Sequence, residues 1–116
     1  MEITVGVQGD VVILNPKGNL IAATVDAFRE QWESLIEKGF LYIVLNLSNV
    51  CFMDSSGLSA CIALYNCLKT KSGKLVIASP TQAVRKILRI TRTDRKFVVS
   101  EHEIEGLELI REQTIT

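Results

Sequence analysis

The sequence holds 116 residues, 47% of them hydrophobic and 22% charged, with thirteen basic residues matched by thirteen acidic ones. That is one ordinary domain, residues 1–116, able to bury about two-thirds of its unfolded surface without a metal or disulfide staple. The zero formal charge excludes the strong cationic field of most nucleic-acid binders, so no direct nucleic-acid partner is expected.

Taken in chain order, Ile3, Val5 and Val7 alternate with polar residues. Gly9-Asp10 then turns the chain into Val11-Val12-Ile13-Leu14, an N-terminal hairpin whose second strand is expected to end at Pro16 and Gly18. Over 22–38, Val25, Phe28, Trp32, Leu35 and Ile36 fall at helical spacing, with Trp32 in the core and Gly39 as the left-handed stop. Residues 41–47 are β-rich and almost continuously apolar, as a central strand covered on both faces would be, and this strand is read as running straight into Asp54-Ser55-Ser56-Gly57. The helix over 57–71 carries Leu58, Cys61, Ile62, Leu64, Tyr65 and Leu68 around much of its circumference, more than one buried stripe needs.

Residues 74–78 form another strand. Ser79-Pro80-Thr81-Gln82 reads as a serine-capped start for a helix whose apolar face is Val84, Ile87 and Leu88. Arg85, Lys86, Arg89, Arg92, Arg95 and Lys96 make a basic stretch on that helix and its exit, read as a face shown to water. Phe97-Val98-Val99 is a short last strand. Ser100-Glu101-His102-Glu103 reads as a second capping box leading to Ile104, Leu107 and Ile110, and Gly106 inside that helix costs about 1 kcal/mol against alanine. The order predicts an α/β fold, a mixed sheet of about five strands with about four helices packed against it.

Cys51, Cys61 and Cys67 are odd in number, sit in apolar runs and lack C-x-x-C spacing, so they read as core residues in a reducing, cytoplasmic compartment rather than metal ligands. The opening MEITVGVQGD is unlike a signal or transit peptide, and no apolar run approaches the roughly 20 residues that span a bilayer. No membrane insertion is expected.

The Asp54–Gly57 turn carries the functional signal. It places two hydroxyls at a helix N-terminus, where unpaired backbone N–H groups and a partial positive charge favour an anion such as phosphate. In isolation, a D-S-S-G string reads first as a helix cap. A serine nucleophile would need a histidine base, and the single histidine, His102, lies in the far capping box. The Gly-x-Ser-x-Gly elbow, the Walker loop and the dinucleotide glycine fingerprint are absent, so catalysis and a cofactor are not expected.

Three segments carry a family resemblance: VCFMDSSGL at 50–58, Pro16-Lys17-Gly18-Asn19-Leu20, and PTQAVRKILRITRTDRKFVV at 80–99. With the order of elements, they make the chain similar to a STAS domain of the bacterial anti-sigma factor antagonist type over nearly its whole length. The resemblance implies that Ser56, the second serine of the turn, is a phosphorylation target. It implies a partner-switching cycle in which the unmodified protein binds an anti-sigma factor with serine kinase activity and frees the sigma factor. Phosphorylation ends the binding, and a separate serine phosphatase restores it.

The partner-binding set is then Asp54 and Ser55 as turn contacts, Gly57 for close backbone access, Leu58 as an apolar contact, and Asn19 and Leu20 from the neighbouring loop. Ile21 and Asn46 stand where relatives often carry acidic residues, and both changes are read as removing carboxylates near the docking surface. Two rival readings are an unphosphorylated STAS adaptor in a transporter or signalling scaffold, and a small nucleotide-binding module using the same helix N-terminus.

Overall fold

The computed structural model describes the backbone of residues 1–115 and the side chains of residues 1–112. Strands β1 (Glu2–Gln8) and β2 (Val11–Leu20) form an antiparallel hairpin closed at Gly9, where the φ of +64° suits a residue without Cβ. β2 does not stop at Pro16 and Gly18 as expected. Pro16 falls between the stretch of β2 that pairs with β3 (Tyr42–Asn46) and the stretch that pairs with β4 (Val50–Met53), so no ladder bond is lost on that side.

Helix α1 (Val25–Glu37) returns the chain between β2 and β3, and Gly39, at φ +95°, supplies the expected left-handed stop. The strand expected to run unbroken to Asp54 is two strands. Asn46 ends β3 by accepting the N–H of Ser48 at 2.9 Å, and Val50 N–H closes the turn onto the Leu47 carbonyl at 3.1 Å. The chain then enters β4, which pairs with the far end of β2 through an irregular register.

Helix α2 (Ser55–Thr70), strand β5 (Lys74–Ala78), helix α3 (Gln82–Ile90), a short 3-10 turn at Thr93–Arg95, strand β6 (Val98–Ser100) and helix α4 (Glu103–Ile115) complete the order. The sheet runs β1-β2-β3-β5-β6 with β4 attached to β2, six strands in a mixed arrangement with four helices. All pairings except the β1–β2 hairpin are parallel.

Period-two alternation divides the core. Val12, Leu14, Ile43, Leu45, Leu75 and Ile77 face α1, α2 and α3 with Phe28, Trp32, Leu64, Leu68, Val84 and Leu88. The intervening Val11, Ile13, Val44, Val76 and Ala78 face α4 through Leu107 and Ile110. Ile104 is not part of that face, for it is 71% exposed on the outer side of α4. Cys61 is buried as expected and Cys67 half-buried, but Cys51 is exposed on β4, where it and Phe52 both lie outside the core.

Two caps differ from their sequence patterns. Ser79 takes a left-handed φ of +52°, and Thr81 caps α3 instead by accepting the Val84 N–H at 3.4 Å while donating to the Val50 carbonyl at 2.9 Å. At α4, Ser100 accepts no amide. It donates to the His102 carbonyl at 3.0 Å, Glu103 is bonded to Asn46 Nδ2 at 2.9 Å instead of reaching back to Ser100, and a different acid, Glu105, accepts the Glu101 N–H at 3.2 Å, so the expected box does not form.

Candidate functional site

Asp54 is the residue that builds the turn. Its extended backbone (φ −99°, ψ −172°) makes it the N-cap of α2, and Oδ1 accepts the Gly57 N–H at 3.0 Å. Oδ2 reaches across to accept the Ala22 N–H at 3.1 Å, while Asp54's own N–H donates to the Leu20 carbonyl at 3.3 Å. One carboxylate thus ties the start of α2 to the loop after β2. These amides, Gly57 first and then Ala22 and Ser56, hold the Asp54 carboxyl below the usual carboxylate range against an opposing desolvation.

The loop after β2 is braced in turn. Thr24 Oγ1 donates to the Asn19 carbonyl at 2.6 Å and accepts the Ile21 N–H at 3.1 Å, and Gly18 N–H donates to the Asn49 carbonyl at 3.0 Å. Gly57 is buried where the two segments meet, and a Cβ there would overlap the Leu20 carbonyl oxygen. The close approach of the backbones therefore requires glycine at this position.

On the first turn of α2, Ser55 is exposed and Ser56 half-buried, with exposed Asn19 near the end of β2 and exposed Ala22 and Ala23 on the loop that follows. The structure brings Asp54, Ser55, Ser56, Gly57 and Asn19 together at one surface. It removes two side chains from the expected contact set: Leu20 is fully buried and Leu58 is 8% exposed, both in the main core, because each follows the inward side of its element. What Leu20 supplies to the turn is its carbonyl.

Asn46 is also displaced from its expected role near the docking surface. It is buried at 7% exposure and donates from Nδ2 to Glu103 Oε1 at 2.9 Å, so it braces the start of α4. An aspartate there would set one carboxylate against another. Sequence reasoning missed Phe52, half exposed on β4 two residues before Asp54. The signal was an aromatic in a four-residue apolar strand, but the outward turn of two adjacent residues, Cys51 and Phe52, breaks the alternation that would have revealed it.

His102 precedes α4, which packs on the opposite sheet face from α2. Burial pushes the Cys61 thiol up to about 12, which leaves it inert at neutral pH. Among the described residues, no group of three or more His, Cys, Asp and Glu is placed to hold a metal ion, and no helix is long and apolar enough to cross a membrane.

Comparison with known proteins gives a consistent picture. The family model of the STAS domain matches residues 2–106. The anti-sigma F factor antagonist of Paenibacillus polymyxa is 29% identical over 98 residues, 84% of each chain. A Thermotoga maritima relative solved by crystallography is 26% identical, with a TM-score of 0.89 over 94% of each chain. The Bacillus cell fate determinant SpoIIAA, solved in its phosphorylated form, shares the fold at 21% identity, with a TM-score of 0.75 over 94% of this chain and 99% of its own.

Proposed function

Because this chain belongs to the STAS domain family, we propose that it is an anti-sigma factor antagonist, a binding protein and not an enzyme, controlled by phosphorylation of Ser56. The unmodified form binds an anti-sigma factor that is also a serine kinase and so releases a sigma factor. Phosphate transferred to Ser56 by that kinase ends the binding, and a serine phosphatase restores it. Asp54, Ser55, Gly57 and Asn19 shape the docking surface.

The observation that carries this reading is the position of Ser56, half-buried on the first turn of α2 beside a carboxylate that already occupies the neighbouring amides. Phosphate adds roughly −1.5 to −2 charges. In the free protein, the helix dipole and water accommodate that charge, so the fold survives modification. Under a partner's surface without a matching cation, it is a desolvated charge next to Asp54, at a cost of several kcal/mol. A hundredfold loss of affinity requires only about 2.7 kcal/mol, so local electrostatics suffice without a large conformational change.

The test is incubation of the purified protein with its cognate anti-sigma kinase and ATP, read by mass spectrometry and by binding. One phosphate is expected at Ser56, absent in Ser56→Ala, with at least a hundredfold weaker complex after modification. Ser56→Ala is expected to keep the fold and bind constitutively, and Ser56→Asp to bind more weakly than the parent. A protein that binds its partner but gains no phosphate at Ser56 would be an adaptor, and the switching mechanism would be wrong.

A further inference from the structure

Although the thirteen positive and thirteen negative charges balance over the chain, two helices carry clusters of one sign. On α1, Asp26, Glu30, Glu33 and Glu37 are all exposed at spacings of four, three and four, which lines them along one helix face. Beside that stripe, Ala27, Gln31 and Ser34 join Met1 and Ile3 from β1 to line a groove of about 390 Å³, rimmed by Glu30. Arg29, half-buried, and Lys38, exposed, are the cations of this helix and its exit.

The opposite character appears on α3. Lys86, Arg89 and Ile90 stand at i, i+3 and i+4, all exposed, and Ile90 is 68% accessible despite being fully apolar. Arg92, Arg95 and Lys96 extend the cationic surface through the following turn, with Asp94 as its one acidic neighbour there and Glu101 paired to Arg85 at 3.1 Å. The patch thus presents an exposed isoleucine among cations, and the α1 groove has one acid, Glu30, on its wall beside the acidic stripe, whose Glu33 and Glu37 face a separate groove shared with Lys71.

The two surfaces cannot meet within one molecule. α1 lies beside β1, at one edge of the sheet, while α3 shares a cleft with Phe97 and Val99 next to β6, at the other edge. We infer that the protein associates head to tail with further copies of itself, the Lys86–Arg89–Ile90 patch of one molecule seating on the α1 groove of the next. Such a contact is heterologous, so it leaves a free patch and a free groove at the ends and can repeat. The absence of net charge removes the overall repulsion that would keep copies apart. The contact is independent of the Ser56 turn.

Sedimentation velocity over a concentration series tests this at about 0.01 M and about 1 M salt, where the screening length falls from roughly 30 Å to roughly 3 Å. The weight-average mass is expected to climb above the 12.9 kDa monomer with concentration at low salt and to fall back at high salt. Lys86→Glu with Arg89→Glu, Glu30→Lys with Glu33→Lys, and Ile90→Asp are each expected to weaken association at least tenfold. All five positions are exposed, and circular dichroism checks the fold of each variant.

An equimolar mixture of the two charge-reversed variants is expected to associate again, through one native and one sign-inverted contact. A parent protein that stays monomeric at low salt overturns the inference. So does association that survives the Lys86/Arg89 reversal or a mixture that fails to restore it. Binding of the patch to vesicles of anionic lipid by a protein that remains monomeric would assign the surface to membranes and overturn it equally.

Discussion

Asp54 joins two segments that are 32 residues apart in the chain through one carboxylate, and that joint has a pH signature. The amides of Gly57 and Ala22 favour the ionised form in the folded state, so the folded pKa lies below the unfolded one. The contribution is therefore fully present above the ordinary carboxylate value of about 4 and is lost as pH falls through the lowered folded value. Asp54→Asn can still cap the helix but cannot titrate. It is expected to lower stability most near neutrality and to flatten the acid limb of a stability-against-pH profile measured by urea unfolding, so that its difference from the parent shrinks as pH falls. Gly57 acts at the same scale by allowing the α2 backbone to approach the Leu20 carbonyl, so the hydroxyl of Ser56 owes its place to a neighbour that has no side chain.

At the level of elements, α4 depends on a close fit that its composition does not advertise. Gly106 is buried, and a Cβ there would lie 2.9 Å from Ser100 Oγ and 3.3 Å from Val76 Cγ1. Helix propensity alone favours alanine at this position by about 1 kcal/mol. Overpacking of about 1–3 kcal/mol opposes it, because the atoms in the way belong to the sheet. Gly106→Ala is expected to lower the thermal midpoint, and addition of Ser100→Ala, which removes the nearest atom, to recover part of the loss. The caps carry the same lesson, since Thr81 bonds both to its own helix and to the Val50 carbonyl and so fixes α3 against β4, the strand that delivers Asp54.

Across the whole molecule, the sheet is covered unequally. Three helices bury one face in a large cluster, whereas α4 alone covers the other through Leu107 and Ile110 over Val11, Ile13, Val44, Val76 and Ala78. With so few residues closing that side, Ile110→Ala, at a fully buried position, is expected to cost about 2–5 kcal/mol in denaturant unfolding. The Ser56 turn lies on α2, which packs on the other face, so this loss is expected to leave the partner affinity of the folded fraction unchanged. A change in that affinity larger than about twofold would show that the two faces are coupled.

The alternation of apolar residues, the glycine stops and the D-S-S-G string were sufficient to read the hairpin, the helices, the central strands and the turn that carries Ser56, because each is set by residues within a few positions of one another. Local pattern did not reveal that β2 continues past Pro16, that β4 is a separate strand, or that Ser79 yields its cap to Thr81, since those outcomes depend on pairing between distant segments. The side chains of Leu20, Leu58 and Asn46 went inward, and Cys51 and Phe52 outward, for the same reason. Residue type states what a side chain prefers, but which side of an element faces the core is decided only when the sheet and helices close on one another.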